Sequence, residues 1–447
     1  MLNKPKTKTV LFSLLWVIFT PPLPSVASET PARIVTESGL TLLVQESHSL
    51  PMVTIQVIIG GGSVRDPEGK AGLAHITADL LDEGTSTRDA VEISEAFDFM
   101  GARFSTGARA DYATASLQVL KKDFESGFGL MSDILMNPRF PEKEVDRVRN
   151  EIKGQLLAEE DQPGTVADRA FNRIIFGSHP YRLPVEGTAE TVGEISRSDI
   201  TAFHDRYYRP NNTIIAMVGD LTVAEAEEHV NRLFSNWGPG KIPGNSPPPP
   251  PALEKSVVER IDRDLTQAHV VLGHLGIKRS NPDYYAVSVM NYILGGGGFS
   301  SRLMKNIRDE RGLVYGIYSY FDALKHPGSF SVAFQTRNDQ AQDAIDEILK
   351  ELRSIRTRPV SDRELEEAKA FLIGSFPLKF DTTSKIAHFL TLVEFHGLGL
   401  DYLDQYPKLI QSVKKIDIQR VAQKYLDPGR IALVVVARQD EANIKAR

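Results

Sequence analysis

The stretch GLAHITADLLDEGT, residues 72–85, sets a histidine, His75, near the start of an expected helix. On a helix, positions i and i+4 share a face and i+3 lies beside them. Two imidazoles at i and i+4, with a glutamate at i+3, would hold zinc and activate a water molecule. Here the two further positions are Ala78 and Asp79. Alanine has no group that takes a proton, so the place of the general base is empty. Asp79 can ligate a metal, but histidine with aspartate is a different donor set from two histidines.

Little else in the chain offers chemistry by itself. The other nine histidines contain no pair at helical ligand spacing, and His269 and His274, five apart in an expected strand, point to opposite faces. There is no cysteine, which removes disulfides, thiolate-bound zinc and thiol nucleophiles together. The run Gly295, Gly296, Gly297 and Gly298 lacks the Lys-Ser/Thr ending of a phosphate loop and follows an expected helix, so it does not read as a phosphate cradle.

The elements that must position these residues come in two similar sets. Residues 1–27 read as a cleavable signal: Lys4, Lys6 and Lys8, an apolar run over 10–19, then prolines and small residues, with the cut expected after Ala27. The run is too short for a stable membrane span. An exported, cysteine-free chain fits a periplasmic or secreted location. The formal charge is −6, and becomes −9 without the three lysines of that segment, so the chain has no electrostatic footprint for nucleic acid.

The segment 238–252, with five consecutive prolines, reads as a semi-rigid linker between halves spanning 28–237 and 253–447. The halves echo each other. FPEKEVDRVRNEIKG (140–154) is matched by VSDRELEEAKAFLIG (360–374), and YYRPNNTIIAMVGD (207–220) by YLDPGRIALVVVAR (425–438). Expected strands at 52–60 and 268–276 are followed by expected helices at 71–83 and 282–294, and then by strands at 111–120 and 329–336. The pattern predicts a duplicated α+β fold, each half a mainly antiparallel sheet with helices packed on one face.

Across nearly the whole mature chain the sequence resembles the pitrilysin/insulinase peptidases, the M16 family. Its zinc enzymes carry G-x-A-H-x-x-E-H-x-x-x-x-G-T; here the frame reads Gly72, Ala74, His75, Ala78, Asp79, Gly84 and Thr85. By the same resemblance, Glu151 falls where the third zinc ligand belongs and Glu144 matches an accessory acid, completing a degenerate metal site of His75, Asp79 and Glu151. Arg308 and Tyr315, in FSSRLMKNIRDERGLVYGIYS (299–319), match an Arg/Tyr pair with which family members grip substrate. Gly295–Gly298 correspond to a glycine-rich loop used in substrate handling by the non-catalytic subunit of mitochondrial processing peptidase. Pro180, Pro184 and Gly187 of HPYRLPVEGT read as turn-setting residues.

The resemblance implies a non-catalytic, substrate-binding subunit of a two-chain peptidase acting on peptides or unfolded polypeptides. It implies no metal on this chain, zinc on a catalytic partner with intact H-x-x-E-H, and a heterodimeric assembly. Two other readings stand beside it. One is a diverged hydrolase using His75, Asp79 and Glu151, with Asp82 or Glu83 as base. The other is a scaffold that handles no peptide.

Overall fold

The computed structural model describes residues 31–244 and 247–445. The expected signal segment and its cleavage point lie outside them, as do Asn245 and Ser246 of the expected linker.

Six strands build the first sheet: β1 (Ala32–Val35), β2 (Thr41–Glu46), β3 (Met52–Ile59), β4 (Arg103–Ala108), β5 (Ala113–Leu120) and β6 (Thr213–Gly219). Their spatial order is β1-β2-β6-β3-β5-β4. Five strands build the second: β7 (Val257–Asp262), β8 (Gln267–Leu275), β9 (Ile317–Phe321), β10 (Ser329–Arg337) and β11 (Ala432–Ala437), in the order β7-β11-β8-β10-β9. Without β1, the two orders are the same. Even the exception repeats: each sheet is antiparallel apart from one parallel pair, β2 with β6 and β7 with β11. The duplication read from the sequence is thus a duplication of topology.

Alternation explains how each sheet faces its core. Along β5, Ala113, Ala115, Leu117 and Val119 are buried and their neighbours less so. They join Val53, Ile55, Val57 and Ile59 of β3 under the first half's own helices. The matching residues of the second half, Val270 and Leu272 of β8 with Phe330 and Val332 of β10, sit in the second core.

Four helices shape the site and join the halves: α1 (Leu73–Asp79), α2 (Glu142–Glu159), α3 (Pro163–Phe176) and α4 (Thr383–Phe395). In α2 the buried residues are Val145, Val148, Ile152 and Leu156, a single stripe at helical spacing that leaves its acids and arginines outside. Proline at the first position starts α3, where the missing N–H costs nothing.

The opposite faces of the sheets are covered by exchange. Helix α3, from the first half, lays Ala167, Ala170, Phe171 and Ile175 on Val271 of β8 and on Ala432, Val434 and Val436 of β11. Helix α4, from the second half, lays Ala387 and Leu390 on Leu43, Ala216 and Val218 of the first sheet. Each sheet therefore has its own helices on one face, as expected, and a single borrowed helix on the other. The described residues of the linker carry neither helix nor strand, and Pro248, Pro249 and Pro251 are exposed. No helix among the described residues is long and apolar enough to cross a membrane.

Candidate functional site

Helix α1 is shorter than the sequence suggests, ending at Asp79 rather than near residue 83. Its start is held from two sides. The Asp66 carboxyl accepts hydrogen bonds from the N–H groups of Gly72 and Ala74, each at 2.9 Å. Burial pushes that carboxyl up to about 7, against the pull of those N–H groups. On the other side lies the turn closed by Gly187, whose N–H bonds to the Pro184 carbonyl at 3.0 Å. Gly187 has φ +81°, and a Cβ there would stand 2.2 Å from the Ala71 carbonyl oxygen. The expected turn-setting role of Pro180, Pro184 and Gly187 is therefore what brings the turn against α1: Pro180 opens the short helical turn Pro180–Arg182 just before it.

On α1, His75 and Asp79 meet as expected for positions i and i+4, with Nε2 to Oδ2 at 3.3 Å. Burial pushes the Asp79 carboxyl above its usual range; His75 pulls it down, while Glu151 and Glu186 push it further up. Ala78 is completely buried. The position of a general base is therefore both empty and closed.

The acids of α2 are not where a metal site would need them. Arg147 donates from Nε to Glu144 at 2.7 Å, from Nη1 to Glu151 at 3.1 Å and from Nη2 to Glu83. Among the described residues, no group of three His, Asp or Glu side chains is arranged to hold a metal ion. The expected remnant of His75, Asp79 and Glu151, with Glu144 as accessory, is thus not an assembled donor set: one pair is bonded to itself and the other acids are bonded to an arginine. The zinc of the enzymes that the sequence resembles does not fit these residues. Glu83, one of the two alternative bases, belongs to the same arginine. Asp82, the other, is pushed up to about 6 chiefly by burial and lines a groove of about 630 Å³ that reaches Arg103 and Phe104 at the start of β4.

Arg308 and Tyr315 do come together. Arg308 sits in the wide helical turn Met304–Asp309, and its Nε donates to the Tyr315 carbonyl at 2.8 Å. Nη1 bonds to Asp309 at 2.9 Å. The guanidinium lies 4.9 Å from the centre of the Phe299 ring and 5.8 Å from that of Tyr315. Tyr315 is 90% exposed and Phe299 68%. Two aromatic rings thus stand free beside a partly covered cation, although no motif or spacing singles out Phe299. Tyr315 also lines a cleft of about 310 Å³ between α3 of the first half and the second sheet, with Gly164, Asp168, His269 and Tyr318. The phenol can donate to a carbonyl, and the guanidinium carries several donors in a fixed plane.

The glycine run is mainly a packing device. A Cβ on Gly295 would lie 2.5 Å from the Ser319 hydroxyl and 2.8 Å from Leu303, on Gly296 2.8 Å from Asn291, and on Gly297 2.7 Å from the Tyr292 carbonyl. Close approach of the chain to β9 and to its own preceding turn accounts for three of the four, without substrate. Only Gly298 has open space around it. His269 and His274 do face opposite sides of β8, one toward α3 and the other buried beside Phe330.

Known proteins share both the sequence and the fold. A family model described as Insulinase (Peptidase family M16) matches residues 41–189, and one described as Peptidase M16 inactive domain matches 194–372. An uncharacterized zinc protease of Streptomyces coelicolor is 29% identical over 402 residues, covering 89% of this chain and 87% of that protein. One of Bacillus subtilis is 26% identical over 357 residues, covering 79% and 85%. Among solved structures, a peptidase M16 inactive domain from Pseudomonas fluorescens is 30% identical with a TM-score of 0.85, covering 91% of this chain and 98% of that one. A protease from Helicobacter pylori, 19% identical, shares the fold with a TM-score of 0.84 over 91% of this chain and 99% of that one.

Proposed function

This chain belongs to the M16 peptidase family, and we propose that it serves there as a non-catalytic, substrate-holding subunit whose zinc-bearing partner performs the cleavage. One asymmetry carries the reading. The first half has a buried alanine, Ala78, where a base would stand, whereas the second half presents an exposed tyrosine, Tyr315, bonded through its carbonyl to Arg308. A chain that only filled space would have no use for an exposed ring whose backbone is tied to a guanidinium.

In this reading the pair acts on the polypeptide backbone. The Tyr315 hydroxyl and the remaining N–H groups of the Arg308 guanidinium donate hydrogen bonds to carbonyl oxygens, and Phe299 gives an apolar side chain a surface to rest on. The guanidinium, already held by the Tyr315 carbonyl and Asp309, loses little freedom on binding and favours the geometry in which charge develops on oxygen. Zinc, held by the partner chain with intact H-x-x-E-H, would supply the Lewis acid. Substrates are peptides or unfolded polypeptides, and the assembly is a heterodimer. The signal-like residues 1–27 support a location in the periplasm or outside the cell.

The test is hydrolysis of an unstructured peptide by this chain alone, by a catalytic M16 partner alone and by the two mixed. The pair should exceed the sum of the separate rates. Equal rates for partner and pair would favour a scaffold, and chelator-sensitive hydrolysis by this chain alone would restore the diverged-enzyme reading.

A further inference from the structure

We propose that Arg147 is the resident cation of the remnant pocket: its guanidinium ties up three of the acids gathered there, offsets part of their charge and thereby disfavours divalent metal ions. This role depends on the pocket's own geometry and is independent of peptide handling.

Three nitrogens of one side chain engage three carboxylates. Glu144 and Glu151 lie three residues before and four residues after Arg147 on α2, while Glu83 comes from the turn after α1. Local pairs on an exposed helix are ordinary and contribute little. The bond to Glu83 is different, because it joins elements 64 residues apart, and the side chains of Glu83 and Glu144 are only 22% and 17% exposed. A guanidinium suits this work. It is planar, it presents donors in several directions and it does not lose its proton at any pH the protein meets.

The consequence for metals is competitive. A metal ion held by Glu151 would have to compete with Arg147, which already engages one oxygen of Glu151 and one of Glu144. Of the other donors, His75 and Asp79 are turned to each other. Neither Asp79 nor Asp82 is bonded to Arg147, so the arginine's hold falls on Glu83, Glu144 and Glu151. Beside the vacant base position at Ala78, the pocket thus holds a fixed positive charge bonded to three of its acids.

Arg147→Met tests this, because the side chain is 47% exposed and its loss empties no core. The untagged variant should bind Zn²⁺ at least tenfold more tightly than the wild-type chain by titration calorimetry. Its melting temperature should fall in chelator and return when zinc is added. Adding Glu151→Gln to the variant should remove most of the gained affinity. A folded Arg147→Met chain with wild-type zinc affinity overturns the proposal, as does unchanged melting in chelator. If the variant does not fold in chelator, refolding it with zinc must recover it; failure there also overturns the proposal.

Discussion

Thr54, on the central strand of the first sheet, shares a 2.9 Å hydrogen bond with Thr383, the first residue of α4, which is 329 residues away in the second half. Nearby, Arg33 of β1 pairs with Glu394 near the end of the same helix at 2.8 Å. The borrowed helix is thus pinned at both ends, over the apolar contacts of Ala387 and Leu390. The two halves are separate in topology and interlocked in packing.

Cleavage of the linker should therefore leave the protein in one piece. A protease cutting at residues 238–252 should give two bands near half mass on a denaturing gel and a single species by native size-exclusion. Phe171→Ala, which strips a buried aromatic ring of α3 from the second sheet, should cost about 3–5 kcal/mol and loosen the nicked pair. Spontaneous separation of the nicked wild-type halves would contradict the exchange.

Tyr315→Phe and Arg308→Lys should each lower turnover of the reconstituted pair about a hundredfold, the scale of one lost transition-state donor. Assembly should persist, since Tyr315 is almost fully exposed. Rates measured beside light-scattering masses separate the two effects. Unchanged turnover in both variants would show that neither side chain handles substrate.

Rebuilding the motif should fail for a structural reason. Ala78 has no exposed surface, so Ala78→Glu must push a carboxylate and an extra methylene into packed helices. The variant should melt well below wild type and gain no chelator-sensitive hydrolysis, with or without Asp79→His. Activity in that double variant would mean that the pocket is only two residues from an enzyme.

Acid should destabilise the fold through its buried histidines. His179 is buried against Tyr181, with Nε2 lacking a protein partner among the described residues; burial, with the neighbouring His326, pushes it down to about 4. Burial likewise pushes His396 down to about 4. In the unfolded chain a histidine takes up its proton near 6.5. The unfolded state therefore binds more protons between about 6.5 and 4. Stability from this source is full above that window and falls as pH drops through it. Thermal melts from pH 7.5 to 4 should show the decline, and His179→Asn should flatten part of it.

How much of this could be read in advance differs from residue to residue. The strands were legible because β5 and β10 alternate residue by residue and because the same order of elements recurs. The end of α1 is not: burial runs on past Asp79 through Leu80 and Leu81, so nothing in the apolar pattern marks the helix's close. Arg147 could have been noticed from its spacing to Glu144 and Glu151, but Glu83 joins them only through the fold. The stripe of Ala167, Ala170, Phe171 and Ile175 announces an amphipathic helix, yet nothing local says which sheet it will cover. Arg308 and Tyr315 are legible through their frame, whereas Phe299 joins them only in space.

The borrowed helix also sets a timetable for synthesis. The last strand of the first sheet, β6, ends at Gly219, and the helix that covers that sheet's second face ends at Phe395. At about 5–20 residues per second, a ribosome needs on the order of 10–35 s to make the intervening chain. For that interval Leu43, Ala216 and Val218 have no permanent cover. A nascent first half is thus an unfinished object with a sticky face, and it depends on a segment not yet made. Any machinery that receives this chain meets a client whose earliest-made half is among the last to be sealed.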